Sequence, residues 1–164
     1  MTADDVKQQL QLPGLGQIGV VVKDLDRAIA FYESTFGLGP FEIREVEAPN
    51  VWDRGEEKHI KARLAFASLG EVELELIQIL EGDSLHLEFL RKHGEGLHHL
   101  GFFVKDFPAK LEQAKAMGLQ VLQKDPFGQF YAYLDTRQHG GIIFELIAPL
   151  GDQNVSMIRG QLPG

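Results

Sequence analysis

The sequence of 164 residues contains one structural unit written twice. Residues 17–24 (QIGVVVKD) align with residues 99–106 (HLGFFVKD) at an offset of 82 positions. Each copy reads as a short apolar strand that ends in Lys-Asp and is followed by a helical pattern. The repeat predicts two copies of one module, and the alignment places Gln17 on His99.

A second match supports the duplication. Gly70 and the run 75–77 (ELI) align with Gly140 and the run 145–147 (ELI), at an offset of 70. The second copy is therefore shorter by 12 positions, and we expect the loss in its loops. Four polar side chains then occupy equivalent positions on the first and last strands of the two modules: Gln17, Glu75, His99 and Glu145. A pseudo-twofold pairing of the modules would bring them to one point.

The order of elements predicts an α+β domain. Each module reads as strand, helix and three strands, with module one at about 15–80 and module two at about 96–149. A linker helix is expected at about 83–94, an N-terminal arm at 1–14 and a C-terminal tail at 150–164. In module one, strands at 40–46 and 60–69 leave a polar loop at 47–59, either a substrate cover or a surface excursion.

The composition of the chain excludes several classes of function and of metal ligand. The net charge of −8 and the absence of a basic stripe argue against nucleic-acid binding. The chain has no cysteine, so metal ligands must come from histidines, carboxylates and amides. No apolar run approaches the roughly 20 residues that span a bilayer, and no signal peptide is recognisable. We therefore expect a cytoplasmic protein with a small-molecule substrate, and neither nucleic acid nor membrane as a partner.

Residues 15–149 resemble the vicinal oxygen chelate superfamily, which includes glyoxalase I, methylmalonyl-CoA epimerase, extradiol dioxygenases and bleomycin-binding proteins. The segment 16–25, the linker into residues 95–99 (EGLHH) and the ending 140–147 (GGIIFELI) look most like the epimerases. The resemblance implies paired βαβββ modules that form a cup-shaped half-barrel around a divalent metal, and it suggests a homodimer. It implies that the metal ligands are Gln17, Glu75, His99 and Glu145.

This donor set has three oxygens, one nitrogen and two negative charges that balance a dication. It suits Mg²⁺, Mn²⁺ or Co²⁺ at least as well as Zn²⁺, and Ni²⁺ also remains open. The epimerases usually carry histidine at position 17, and the Gln17 amide oxygen coordinates more weakly. Gln17 taken alone also reads as an ordinary polar residue at a strand start.

The resemblance implies a metal-dependent isomerase or epimerase that removes a proton α to a carbonyl, for example of an acyl-CoA thioester. Glu145 is the first choice as base and Glu75 the second, because epimerisation needs proton exchange on both faces of one carbon. A glyoxalase I-like lyase is the alternative enzyme. A small-molecule binding protein of the bleomycin-resistance type is the alternative without catalysis. An extradiol dioxygenase is disfavoured, because its iron site would need histidine at position 17.

Other polar residues have weaker assignments. Arg63 falls where the epimerases carry a glutamate, and it is either a structural ion-pair partner or an anchor for a substrate anion. Because His99 is selected by the repeat, His98 is expected on the other face, in a hydrogen bond. The remaining histidines have no partner in the repeat and are expected on the surface: His59, His86, His93 and His139.

Overall fold

The computed structural model describes residues 9–149 of the chain. Module one contains β1 (Gln17–Val21), α1 (Leu25–Phe36), β2 (Glu42–Asp53), β3 (Glu56–Leu69) and β4 (Val72–Glu81). A linker helix, α2 (Leu85–His93), follows. Module two contains β5 (Gly96–Phe103), α3 (Phe107–Ala116), β6 (Val121–Lys124), β7 (Tyr131–Leu134) and β8 (Ile143–Ile147). The prediction of an α+β fold with two βαβββ modules is confirmed.

The strands form one closed barrel in the order β1-β4-β3-β2-β6-β7-β8-β5. Within each module the first and last strands run parallel, β1 beside β4 and β5 beside β8. The modules meet along the antiparallel β1–β5 pair, and β2 and β6 close the barrel at Trp52 and Asp53. The expected cup is therefore a closed, curved sheet with one interior.

The β1–β5 pair carries the pseudo-twofold symmetry that the repeat predicts. Gln17 lies opposite Gly101, and the repeat equivalents of these two residues, His99 and Gly19, also lie opposite each other. On the outer sides of this pair, Gly19 is in register with Glu75 of β4 and Gly101 with Glu145 of β8. All four predicted polar residues therefore belong to four adjacent strands.

Helices α1 and α3 pack against the outside of the barrel, each on its own module. Asp24 caps α1 by accepting a hydrogen bond from the Arg27 N–H, and Leu25 and Ile29 lie in the module-one core. In module two, Phe107 and Leu111 of α3 occupy the equivalent core. Because apolar side chains cover the outer face of the sheet, its inner face remains for the cavity.

The prediction of a loop at 47–59 was wrong. Strands β2 and β3 form a long hairpin that turns at Arg54 and Gly55, both with positive φ. The register shifts between Ala48 and Val51, so Pro49 and Asn50 lie in a bulge. A bulge accommodates proline because its missing N–H leaves no ladder partner unpaired.

The described part of the arm, residues 9–14, contacts module two. Leu10 and Leu12 pack against the core that includes α3. The Lys110 ammonium donates a hydrogen bond to the Leu10 carbonyl at 2.6 Å. The predicted tail at 150–164 lies outside the described residues. Among the helices of residues 9–149, none has the length and apolar character needed to span a membrane.

Candidate metal centre

Four side chains converge inside the barrel at the junction of the modules. The Nε2 atom of His99 lies 3.2 Å from Gln17 Oε1, 3.3 Å from Glu75 Oε2 and 3.1 Å from Glu145 Oε2. His99 is fully buried, and the other three are at most 8% exposed. The structure therefore brings together the four residues that the repeat singles out.

These separations suit the coordination shell of a divalent ion. At a metal–ligand distance of about 2.1 Å, neighbouring ligands of an octahedral ion are about 3.0 Å apart. The three oxygens lie at 3.1–3.3 Å from the His99 nitrogen. In addition, within residues 9–149 the buried Glu145 Oε2 atom makes no hydrogen bond of good geometry, although it lies 3.1 Å from His99 Nε2. The cluster of Glu75, His99 and Glu145 can thus hold a metal ion.

The electrostatics of the cluster favour positive charge. Burial acts to lower the pKa of His99, but the carboxylate of Glu145, joined by Glu75, raises it to about 9. Burial raises the pKa of Glu145, and the neighbouring His99 opposes that change. A proton on His99 and a metal ion are therefore alternative ways to balance two buried carboxylates.

Glu73 fixes the orientation of the Gln17 amide. The Gln17 Nε2 atom donates a hydrogen bond to Glu73 Oε1 at 3.0 Å. The amide oxygen of Gln17 therefore points toward His99. Glu73 lies two residues before Glu75, on the same face of β4. The repeat does not select Glu73, although its two-residue spacing from Glu75 is a signal in the sequence that places it on the same face.

His98 lies beside His99 and is 1% exposed. Its Nδ1 atom is 3.0 Å from His99 Nδ1, so one of the two rings donates a hydrogen bond there. A β-bulge between Gly19 and Val20 in the β1–β5 pair displaces the register at this point. The hydrogen bond with His98 holds the imidazole ring of His99, whose Nε2 atom faces the carboxylates of Glu75 and Glu145.

The expectation that His86 is a surface residue was wrong. His86 is 6% exposed, and its Nε2 atom lies 3.0 Å from the Tyr133 hydroxyl. Its ring also stacks on His98 with centroids 4.5 Å apart, because this face of α2 packs on β5. Burial lowers the pKa of His86 to about 3, so the ring is neutral. The other three histidines of this group are exposed, as predicted: His59, His93 and His139.

Arg63 does not line the barrel interior. Its guanidinium makes two 3.0 Å hydrogen bonds to the Asp26 carboxylate of α1, which lowers the pKa of Asp26. Its neighbours Ala62 and Leu64 line the cavity instead, since side chains alternate across a strand. The structure supports the ion-pair interpretation of Arg63, and the substrate-anchor expectation loses its geometric basis.

A cavity of about 420 Å³ opens from the four-residue cluster. Gln17, Glu75 and Glu145 line its inner end. Its walls come mainly from apolar residues of the barrel, including Ile60, Ala62, Leu64, Phe66, Ile77, Ile79, Phe103, Phe130 and Ile147. A substrate can thus reach the cluster from one side while protein covers the other.

The chain is similar to known proteins in sequence and in fold. Residues 16–134 match the family described as the glyoxalase/bleomycin resistance protein/dioxygenase superfamily. An uncharacterized protein of Bacillus subtilis, YqjC, is 33% identical over 145 residues, covering 85% of this chain and 95% of that protein. The ethylmalonyl-CoA/methylmalonyl-CoA epimerase of Cereibacter sphaeroides is 28% identical over 138 residues, covering 80% and 95%.

The fold has counterparts among solved structures. A methylmalonyl-CoA epimerase from Mycobacterium tuberculosis superposes with a TM-score of 0.62 at 24% identity, covering 88% of this chain and 93% of the other.

The mitochondrial methylmalonyl-CoA epimerase of Mus musculus is a further sequence relative. It is 26% identical over 141 residues, covering 83% of this chain and 73% of that protein. The family match spans most of the described residues, and the chain belongs to the glyoxalase/bleomycin resistance protein/dioxygenase superfamily.

Proposed function

We propose that the protein is a metal-dependent isomerase or epimerase that removes a proton from the carbon α to a carbonyl. The observation that carries the proposal is the set of three oxygens around His99 Nε2 at the inner end of a cavity. A divalent ion bound there would act as a Lewis acid toward a substrate carbonyl. Gln17, Glu75, His99 and Glu145 are the residues that we propose hold it.

Glu145 is the base that we propose, and Glu75 is the second acid/base group. Their strands, β8 and β4, flank the β1–β5 pair on opposite sides, so the two carboxylates approach His99 from opposite directions. Two such groups suit epimerisation, because one must remove the proton and another must return it on the other face.

Acyl-CoA thioesters are the first substrate class to test, because relatives of this chain are named as methylmalonyl-CoA epimerases.

A glyoxalase I-like lyase is the second candidate function and would use the same removal of a proton. The observation that favours it is the amide at position 17, where the epimerases usually carry histidine. Activity on a glutathione hemithioacetal without activity on acyl-CoA would select it. A homodimer and a cytoplasmic location remain predictions.

The test combines metal binding with proton exchange. Protein loaded separately with Co²⁺, Mn²⁺, Mg²⁺, Ni²⁺ or Zn²⁺ is incubated in deuterated water with methylmalonyl-CoA, other acyl-CoA thioesters and a hemithioacetal. We expect deuterium at the α-carbon with at least one pair. Absence of exchange in every pair, although the ion binds, would leave a binding protein as the function.

Variants connect the chemistry to the site. We expect His99→Ala to abolish ion retention, whereas Glu145→Gln reduces exchange more than it reduces ion binding. His93→Ala is the matched control, because His93 is exposed at the end of α2. Unchanged ion content in His99→Ala would contradict the proposed ligand set.

A further inference from the structure

The cavity beyond the candidate metal centre has an apolar lining. Its walls are contributed by alternate inward-facing residues of the long hairpin, such as Ile60, Ala62, Leu64 and Phe66. Ile60, Ala62 and Phe66 are each at most 6% exposed. A volume of about 420 Å³ falls within the range of pockets that bind whole small molecules. The space is therefore much larger than a chelating head group needs.

The charge of the lining is one-sided. Among the described residues that line the cavity, five are acidic and none is lysine or arginine: Glu47, Glu73, Glu75, Asp125 and Glu145. Cations of the long hairpin pair with carboxylates outside the cavity, as Arg63 does with Asp26 and Lys61 with Glu45. An anionic group of a substrate would therefore find no lysine or arginine along these described walls, away from the ion proposed at the inner end.

The mouth of the cavity carries an aromatic side chain on a turn that one buried carboxylate holds. The buried Asp125 carboxylate accepts hydrogen bonds from the backbone N–H groups of Phe127, Gln129, Phe130 and Tyr131. This turn leaves Phe127 59% exposed at the rim, edge-on to the buried Phe130. A large exposed aromatic side chain at a cavity mouth is suited to contact a bound molecule.

We propose that the substrate places an uncharged alkyl or aryl group, larger than methyl, in this cavity, and that Phe127 covers it at the mouth. The two oxygens of the substrate then face the candidate metal centre, and its apolar group contacts Leu64, Phe66 and Phe130. This inference deepens the proposed function and rests on it for the position of the chelating oxygens.

Hydroxamic acids test the inference without catalysis, because they chelate a metal through two oxygens. Calorimetry on Co²⁺-loaded protein compares acetohydroxamic, hexanohydroxamic and benzohydroxamic acids with the monohydroxamate of glutaric acid, which ends in a carboxylate. Burial of each methylene contributes about a fourfold gain in affinity. We therefore expect hexanohydroxamate to bind at least about tenfold more tightly than acetohydroxamate, and the carboxylate-terminated chain to lose that gain.

The variant Phe127→Ala identifies the group at the mouth. It should weaken binding of benzohydroxamate about tenfold while leaving acetohydroxamate unchanged within about twofold. Phe36→Ala is the matched control, since Phe36 is 66% exposed at the end of α1 and does not line the cavity. Both residues are exposed, so neither substitution should disrupt folding. A difference in hydroxamate affinity between the two variants therefore cannot be attributed to misfolding.

The outcomes separate the inference from the proposed function. Equal affinities for all four hydroxamates, or tighter binding of the carboxylate-terminated one, would overturn the apolar-substituent proposal even if the protein exchanges α-protons. The expected order of affinities without any proton exchange would support the cavity assignment and reject the isomerase. Failure of every hydroxamate to bind Co²⁺-loaded protein would overturn the placement of the chelating oxygens.

Discussion

Gly19 lies opposite His99 across the β1–β5 pair, and the imidazole ring occupies the space where a β-carbon of residue 19 would stand. A β-carbon built on Gly19 would come within 1.9 Å of His99 Cε1 and 2.3 Å of His99 Nε2. The glycine therefore provides the room for the ring to lie flat over β1 and to face the carboxylates of both modules.

We predict that Gly19→Ala weakens metal binding without unfolding the protein. The added methyl group must displace the His99 ring, so the affinity for Co²⁺ should fall at least about tenfold, with a stability loss of roughly 1–3 kcal/mol. Calorimetric titration with Co²⁺ and urea unfolding measure the two effects. Gly14→Ala is the control, because no described residue other than its chain neighbours has an atom within 4 Å of the added β-carbon. Wild-type Co²⁺ affinity in Gly19→Ala would contradict the proposed role of His99.

The hydrogen bond from Gln17 to Glu73 predicts that Glu73 supports metal binding without contacting the ion. Glu73→Ala frees the Gln17 amide to rotate, and the affinity for Co²⁺ should fall about 10- to 100-fold. Glu73→Gln keeps an acceptor oxygen and should restore most of the affinity, with the Co²⁺ absorption spectrum of the wild type. Glu71→Ala, an exposed neighbour, provides the baseline. Equal affinities in Glu73→Ala and Glu71→Ala would refute the prediction.

The buried neutral His86 predicts acid sensitivity of the fold. Its pKa is lowered to about 3 in the folded protein, whereas an unfolded chain has about 6.5. As pH falls below 6.5 the unfolded state binds a proton that the folded state does not, so stability is lost down to about pH 3. Between pH 5.5 and 4.5 this contribution approaches about 1.4 kcal/mol per pH unit.

Urea unfolding at these pH values measures the effect of His86. The variant His86→Gln should show a shallower loss of unfolding free energy than the wild type, even if it is less stable at pH 7. His93→Gln, at an exposed position on the same helix, should follow the wild-type slope. Identical slopes for all three proteins would show that His86 does not contribute.

Substitution of Arg63 is predicted to leave the candidate metal centre unchanged. Because its guanidinium pairs with Asp26 on the outside of the barrel, Arg63→Ala should leave Co²⁺ affinity and KM within about twofold of the wild type. Exposed ion pairs contribute little to stability, so the unfolding temperature should change little. A large rise in KM with unchanged ion binding would return Arg63 to the role of substrate anchor.

The long hairpin shows why one group of predictions failed. Pro49 and Asn50 suggested a loop, yet β2 continues through them because a bulge accommodates the proline. The same hairpin decides which side of β3 carries Arg63, since a shift of one residue exchanges the two faces of a strand. Pairing between strands depends on contacts across the barrel, and a local sequence pattern does not contain them.

The repeat alone determined much of the candidate site. Equivalent positions in two copies of one module become symmetric positions when the copies pair, so the sequence alone selects Gln17, Glu75, His99 and Glu145. His86 and Glu73 have no such equivalence. Their roles depend on the packing of α2 on β5 and on the register of β1 beside β4.

The sequence by itself therefore determined the duplicated module, the order of the elements within it and the side chains that converge at the module junction. The tertiary structure decided that the sheet closes, which residues face the cavity and which partners orient Gln17 and His99. The physical reason is range. Periodicity and capping act within a few residues of the chain, whereas register and barrel closure join strands that are distant in sequence.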